Sequence, residues 1–156
     1  TVARGWQCAL TVPRELSMRD GKLCQQPAHE IERMRGDCVR ATGGETVEEP
    51  GRLFDLVVSC EGTKMVELEI RKGVFVRYAG GMLTLDMGDE GYGRDQRSIE
   101  LSELRDLRVL SDTTIVEIFA NGGEAALTSR TYSPAVPAMA LNAEGAASMD
   151  FYRLAH

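Results

Sequence analysis

The chain has 156 residues, a net charge of −6, 43% hydrophobic residues and 27% charged residues, which is typical of one globular domain. This composition excludes intrinsic disorder, and no apolar run reaches the ~20 residues that a membrane helix needs. Because basic residues are interspersed with acidic ones and form no basic face, neither nucleic acid nor a membrane is expected as a partner.

The cysteines all lie in the first 60 residues, at positions 8, 24, 38 and 60. No pair has the CxxC spacing of a structural zinc site. Two disulfides are one alternative, but a domain of this size does not need them. We favour free thiols in a reducing cytoplasm, with secretion as the alternative. The chain begins with Thr1 and not with Met, so we expect a piece of a longer protein.

The first third of the chain contains short strand-like runs. Residues 6–12 form the first run, and residues 16–25 form a second that is interrupted by Asp20-Gly21, a dipeptide that predicts a hairpin turn. Residues 30–35 are the best candidate for a short helix. Residues 43–51 are polar and rich in turn formers, and we interpret them as a surface loop.

The middle third shows regular alternation. Apolar and polar side chains alternate over residues 66–70, 74–78 and 83–85, which indicates strands with one buried and one solvated face. Glycine-containing turns separate these runs, and a glycine-rich loop follows at residues 88–93. A meander of antiparallel strands is therefore predicted here, after an apolar strand at residues 53–60.

The last third predicts a further hairpin. A strand at residues 107–110 is followed by a β-branched strand at 114–120, the turn Asn121-Gly122-Gly123 and a returning strand at 125–132. Another strand is predicted at residues 149–154. Ten to twelve strands at this spacing predict an all-β fold, a two-sheet antiparallel β-sandwich of the concanavalin-like jelly-roll type.

The two histidines suggest no chemistry. His29 precedes Glu30 but lacks the second histidine of a zinc-protease helix, and His156 is the last residue. We therefore predict no metal site, no cofactor and no Ser–His–Asp triad.

Glu117 is the most informative single residue. It lies in the predicted strand 114–120, and Ile115 and Phe119 share its face. A carboxylate among apolar neighbours is costly unless it is paired or solvated. Arg130, across the predicted hairpin, is the expected charge partner. Either the two form a structural ion pair, or they line a polar pocket that binds a hydroxylated ligand.

Two segments resemble glycoside hydrolase family 32, the family of invertases, levanases, inulinases and sucrose-6-phosphate hydrolases. The first reads SDTTIVEIFANGGE at residues 111–124 and LTSRTY at 127–132, and is similar to a signature near the C-terminus of the family. The second reads GWQCALTVPREL at residues 5–16, and is similar to the passage from the catalytic propeller into the C-terminal β-sandwich. Thr114 departs from the serine of the family pattern, and the final proline is displaced to Pro134.

The resemblance implies that residues 1–156 are a single β-sandwich, the C-terminal module of a larger enzyme whose catalytic propeller is absent from this sequence. The family's N-D-P, E-C and R-D-P motifs do not occur here, so no catalytic residue is assigned. We expect this chain alone to be inactive and its parent to be a retaining β-fructofuranosidase. The expected partners are the propeller, which the sandwich would stabilise, and a second copy in a homo-oligomer.

The alternative role is that of a fructan (levan)-binding module, with fructose-containing sugars as partners. In that case the expected ligands of the sugar are Asp112, Glu117 and Arg130, with Asn121 and Glu124 shaping the hairpin beside them. Carboxylates accept and guanidinium groups donate the hydrogen bonds that a vicinal diol requires.

Overall fold

The computed structural model describes residues 8–91 and 93–155. Residues 5–7 of the GWQCALTVPREL segment and residues 6–7 of the strand predicted at 6–12 therefore lie outside the described residues, as does His156. Residues 8–12 are not in regular secondary structure, so the predicted strand is wrong over this part. The backbone N–H of Val12 donates to a side-chain carboxylate, that of Glu117, instead of to a neighbouring strand.

The described residues form fifteen strands and two 3-10 helices, and no α-helix. The 3-10 helices are His29–Met34, close to the predicted short helix, and Gly88–Gly91, within the predicted glycine-rich loop. The strands are β1 Arg14–Arg19, β2 Lys22–Pro27, β3 Arg35–Thr42, β4 Thr46–Glu48, β5 Phe54–Ser59, β6 Met65–Arg71, β7 Val74–Ala79, β8 Met82–Asp86, β9 Gln96–Glu100, β10 Asp106–Ser111, β11 Ile115–Ala120, β12 Ala125–Arg130, β13 Ala138–Ala140, β14 Asn142–Glu144 and β15 Ser148–Leu154.

Two large antiparallel sheets make the sandwich. One has six strands in the order β12-β11-β10-β5-β15-β3, and the other has five in the order β14-β6-β7-β8-β9. Two small sheets, β1-β2 and β13-β4, complete the fold. The core lies between the large sheets, because both contribute to one buried apolar cluster, with Leu56, Ile118 and Phe151 from the first and Leu68 and Val76 from the second. The predicted all-β sandwich is confirmed.

The predicted meander is also confirmed. Strands β6, β7 and β8 pair in succession, and their buried and half-buried residues alternate as the sequence pattern requires. Arg77 on the solvent-facing side donates to Glu67 at 2.6 Å. This sheet therefore has one apolar face and one face of paired charges.

The prediction missed the shortest and the most polar strands. Strand β3 lies at the edge of its sheet and five consecutive residues of it are exposed, so it shows no apolar alternation. Strand β4 lies in the segment that we interpreted as a loop, and it pairs with β13 over three residues only. A three-residue strand is defined by its long-range pairing and is too short to show an alternation of apolar and polar residues.

Strand β11 is buried along its whole length. Val116 and Ile118 belong to the core between the sheets, so Glu117 and Phe119 lie on the outer face by alternation. The β1-β2 hairpin covers this outer face, and the guanidinium carbon of Arg14 lies 5.1 Å from the centre of the Phe119 ring. One face of β11 is thus buried by the core between the sheets, and the other face is buried by the β1-β2 hairpin.

The four cysteines are unpaired, as predicted. Cys8 and Cys38 are exposed, and Cys24 and Cys60 are buried. Within the described part of the chain, no helix is long and apolar enough to cross a membrane.

Candidate functional site

The candidate site is the β1-β2 hairpin together with the surface of β11 and β12 that holds it. The predicted turn is confirmed: Asp20 and Gly21 both have positive φ, 50° and 76°, as a tight hairpin turn requires. A two-stranded hairpin is marginally stable by itself. Its position is therefore set by the contacts that it makes with the sandwich.

The first contact is at Glu117, which is 2% exposed. Its Oε2 accepts a hydrogen bond of 2.5 Å from Nη2 of Arg14, and its Oε1 accepts one of 2.7 Å from the backbone N–H of Val12. Arg14 also donates to the hydroxyl of Thr128 at 2.8 Å. Each oxygen of the buried carboxylate thus has a donor, and one of them is a guanidinium group.

The predicted pairing of Glu117 with Arg130 is wrong. In the β11-β12 register Thr128 stands opposite Glu117, and Arg130 stands opposite Ile115, two residue pairs further along. Arg14 instead reaches Glu117 from the hairpin. Nη1 of Arg130 is buried and has no hydrogen-bond partner among the described residues.

The second contact is at the turn between β11 and β12. Nη2 of Arg19 donates to the carbonyl oxygens of Asn121 and Gly122, at 2.9 and 2.8 Å. The backbone N–H of Gln25 donates to the carbonyl of Gly123 at 2.9 Å. Gly123 has φ +87°, and a Cβ there would lie 2.1 Å from the carbonyl oxygen of Gln25. Only glycine allows the two backbones to approach this closely.

Asn121 and Glu124 also serve this contact. Asn121 has φ 53°; its Oδ1 accepts from the backbone N–H of Arg105 at 2.8 Å, and its Nδ2 donates to the carbonyl of Glu103 at 2.9 Å. Glu124 accepts a hydrogen bond from Lys22, the first residue of β2, and this bond holds the pKa of the Glu124 carboxyl below its usual range. Three of the five residues predicted to bind a sugar therefore hold the hairpin or shape the turn beneath it.

Asp112 and Arg130 lie near the other end of β11. Asp112 is exposed, and its Oδ1 accepts from the backbone N–H of Thr113 at 2.6 Å. Between them and the Asn121 turn lies β11, whose six residues span roughly 20 Å. The five side chains do not meet at one place, and their role as sugar ligands stays a prediction. Asp112 and Glu117 do share a largely apolar cavity of about 190 Å³, with Leu10, Met34 and Leu154 among its lining residues.

The outward face of the hairpin is apolar. Leu16, Met18 and Leu23 are 64%, 67% and 52% exposed. Leu16 and Met18 lie two positions apart on β1, and Met18 stands opposite Leu23 on β2, so the three side chains share one face. We call these three residues the hairpin patch. A contiguous exposed apolar patch of this kind is typical of an interaction surface.

Sequence reasoning missed a second buried carboxylate beside the hairpin. Asp55 of β5 is fully buried and accepts hydrogen bonds from Nε of Arg35 at 2.7 Å and from Nε of Arg108 at 2.9 Å. The three residues lie at or next to a mixed polar groove of about 370 Å³ on the outer face of the six-stranded sheet. The signal that singled out Glu117, an acid within an apolar strand, is present in residues 53–60 as well and could have found Asp55.

A buried arginine was also missed. Arg71 is fully buried and donates to the hydroxyl of Ser111 from Nε at 3.0 Å and from Nη2 at 2.8 Å. Burial lowers its pKa to about 10. It also donates to the carbonyl oxygens of Arg52 and Asp112, so it connects loops at one end of the sandwich.

Comparisons with known proteins agree with this architecture. The sequence profile described as glycosyl hydrolases family 32 C terminal matches residues 78–154. A raffinose invertase of Escherichia coli is 35% identical over 153 residues, which cover 86% of this chain and 31% of that protein. A sucrose-6-phosphate hydrolase of Salmonella typhimurium is 32% identical over 144 residues, which cover 86% of this chain and 28% of that protein. The chain thus spans about three tenths of the length of these relatives.

Solved structures show the same fold. The structure of a sucrose-6-phosphate hydrolase from Lactobacillus gasseri has a TM-score of 0.78 at 18% identity, over 91% of this chain and 33% of that one. The structure of an exo-inulinase from Aspergillus awamori has a TM-score of 0.75 at 18% identity, over 96% of this chain and 36% of that one.

Proposed function

Because the chain belongs to glycoside hydrolase family 32, as a C-terminal domain, we propose that it is the non-catalytic β-sandwich of a sucrose- or fructan-hydrolysing enzyme and that it stabilises the catalytic domain by packing against it. The names of its relatives, an invertase and a sucrose-6-phosphate hydrolase, support this substrate class. The observation that carries the proposal is the hairpin patch, an apolar surface on an element that the sandwich holds in a fixed position.

The arrangement of the hairpin supports a role in domain packing. The hairpin is fixed to β11 and β12 through the contacts of Arg14 with Glu117 and of Gln25 with Gly123, whereas Leu16, Met18 and Leu23 are exposed to solvent. The hairpin is also the first regular element of the described chain. In a C-terminal domain the first element lies next to the polypeptide that precedes it. The catalytic domain is therefore the partner that this face fits, with a largely apolar contact.

The alternative role, fructan binding by the sandwich, has less support. It relied on convergence of Asp112, Glu117 and Arg130, and Glu117 is already occupied by Arg14 and the N–H of Val12. A reducing compartment such as the cytoplasm is the location that we infer, and the four unpaired cysteines support it.

The test uses the polypeptide that carries this sandwich together with its catalytic domain. In the variant Leu16→Ser/Met18→Ser/Leu23→Ser we expect the melting temperature and the half-life of sucrose hydrolysis at elevated temperature to fall. The matched control, Val39→Ser/Met82→Ser, alters two other exposed apolar residues and should leave both unchanged. Equal effects of the two variants would contradict the proposed contact.

A second measurement uses the 156-residue chain alone. It should release no fructose from sucrose, and it should self-associate weakly through the hairpin patch in sedimentation velocity. The triple serine variant should remain monomeric at the same concentration. If sucrose-hydrolysing activity copurified with the wild-type chain through every purification step, the domain would be catalytic and the proposal would be wrong.

A further inference from the structure

Three residues with metal-ligating side chains meet at the base of the hairpin. Glu15 belongs to β1, and His29 and Glu30 are the first two residues of the 3-10 helix that follows β2. One ligand atom from each residue lies within 4.8 Å of one from each of the others, and all three residues are exposed. Among the described residues this is the one such group found. The sequence does not predict it, because Glu15 is fourteen positions from His29.

Glu15 fixes the orientation and the tautomer of His29. Oε1 of Glu15 lies 2.7 Å from Nδ1 of the imidazole and accepts a second hydrogen bond, of 3.1 Å, from the backbone N–H of His29. An ionised carboxylate can only accept hydrogen bonds, so Nδ1 must carry the proton. In the neutral ring Nε2 is then left with a free lone pair. A carboxylate that holds Nδ1–H in this way is the usual outer-shell partner of a zinc-bound histidine.

The free nitrogen points towards a second carboxylate. Nε2 of His29 lies 3.5 Å from Oε1 of Glu30. A proton on Nε2 makes this proximity favourable, and when the imidazole is neutral a metal ion between the two atoms can take the place of that proton. A tetrahedral zinc ion with bonds of about 2.1 Å holds two of its ligand atoms about 3.4 Å apart. The observed separation of 3.5 Å is close to this distance.

We propose that His29 and Glu30 form an open surface site for Zn²⁺, with Nε2 of His29 and Oε1 of Glu30 as ligands, water in the remaining positions and Glu15 as the positioning residue. The imidazole ligand favours zinc over the hard cations Mg²⁺ and Ca²⁺, which take oxygen ligands.

Protons compete with zinc at this site. The charged groups that face His29 are Glu15, Glu30 and Arg33, and the hydrogen bond to Glu15 is the largest of the effects that raise the pKa of His29 above 6.5. Zinc affinity should fall as the pH is lowered, since the imidazolium has no lone pair to offer.

The test is calorimetric titration of the 156-residue chain with zinc chloride at slightly alkaline pH. The exposed thiols of Cys8 and Cys38 are removed first by Cys8→Ser/Cys38→Ser, since thiolates also bind zinc. We expect one saturable zinc ion per chain and a rise in melting temperature. His29→Gln should abolish binding, and Glu30→Gln and Glu15→Ala should each weaken it by about tenfold or more. Glu32→Gln, on the same 3-10 helix, is the control and should bind as the parent does.

Histidine ring signals in NMR give a readout that separates a ligand from a structural role. Zinc should shift the signals of one histidine, and those signals should be missing from the spectrum of His29→Gln. In Glu15→Ala the fraction of His29 in the Nδ1-protonated tautomer should decrease, and zinc affinity should fall as well. Unchanged zinc binding by His29→Gln, or no saturation at millimolar zinc, would overturn the proposal. Full affinity in Glu15→Ala would remove the positioning role.

Discussion

The carboxylate of Glu117 and the guanidinium of Arg14 are 2.5 Å apart, although 103 positions of sequence separate the two residues. The carboxylate is 2% exposed and the guanidinium side chain 18%, so neither charge can be solvated fully if the other is removed. This contact fixes the first strand of the hairpin on the outer face of β11. The stability of the hairpin and that of the sandwich are therefore coupled at this pair.

A double-mutant cycle should detect this coupling. Glu117→Ala leaves Arg14 without its charged partner and should lower the free energy of unfolding by about 3 kcal/mol, as for a buried ion pair that loses one member. Arg14→Ala in the Glu117→Ala background should cost much less than it does in the wild type, with a coupling energy of about 1–3 kcal/mol. Urea unfolding monitored by circular dichroism measures all four chains.

The matched cycle uses Arg130, which lacks a bond to Glu117. Arg130→Ala and Glu117→Ala should show a coupling energy under about 0.5 kcal/mol, the range of residues without a shared contact. A larger coupling for Arg130 than for Arg14 would contradict the assignment of Arg14 as the partner.

Gly123→Ala should displace the hairpin. The new Cβ would lie 2.1 Å from the carbonyl oxygen of Gln25, in a backbone conformation with φ +87°. The control is Gly80→Ala, which has φ +57° and nothing within 4 Å of its Cβ, and which should cost about 1–2 kcal/mol from the left-handed backbone alone. We expect Gly123→Ala to lose at least ~2 kcal/mol more, because two backbones must separate. Equal melting temperatures for the two variants would refute the close approach.

The thiols should divide into two reactivity classes. Cys8 and Cys38 are exposed, whereas Cys24 and Cys60 are buried; burial raises the pKa of the Cys60 thiol to about 12, with a smaller effect from Asp106. Since the thiolate is the reactive form, two thiols should react at once with a disulfide reagent at neutral pH and four in denaturant. The single substitution Cys38→Ser should reduce the fast class to one, and fast reaction of Cys60 in the native chain would be inconsistent with its burial.

His29 should titrate above its reference pKa of 6.5, and the pKa of Glu15 should lie below 4.5. Protonated His29 is favoured in the folded chain, so its contribution to stability is complete below 6.5 and is lost as the pH rises through its raised pKa. Ionised Glu15 contributes above 4.5, and that contribution is lost as the pH falls through its lowered pKa. The pair is therefore strongest between these two limits.

NMR titration of the histidine rings measures this directly, in metal-free buffer. Glu15→Ala should lower the titration midpoint of His29, whose ring signals are identified by their absence from the spectrum of His29→Gln. An unchanged midpoint for His29 would show that Glu15 does not hold the ring in solution.

Local patterns explain which parts of the fold could be predicted. Apolar and polar residues alternate over residues 66–85 because one side of their sheet faces the core and the other faces water. This alternation can be read from residues that are neighbours in the sequence. The turns at Asp20-Gly21 and Asn121-Gly122 need positive φ, which few residue types adopt. Strands β4 and β13 contain three residues each and form by pairing with each other, so no local sequence pattern identifies them.

The site was predictable only in part, for the same reason. A carboxylate in an apolar strand needs a hydrogen-bond donor, and this requirement identified Glu117 as unusual. The basic residue of the same hairpin is Arg130, but the register places it opposite Ile115. The actual donor comes from β1, and sequence alone does not show that β1 packs over β11. The contact of Glu15 with His29 was hidden likewise, because it depends on how β1 meets the 3-10 helix.

The position of β15 has a consequence for the order in which the domain is assembled during translation. This strand lies inside the six-stranded sheet, between β5 and β3, and among the described strands it is the partner that joins β3 to that sheet. Residues 35–42 are synthesised more than 100 residues before their pairing strand, at residues 148–154. Until β15 has left the ribosome, the nascent chain keeps β3 unpaired in this sheet and keeps open the edge of β5 that β15 will cover, and such edges are prone to aggregation. A chain released before residue 148 has been synthesised lacks β15, so β3 cannot join the six-stranded sheet.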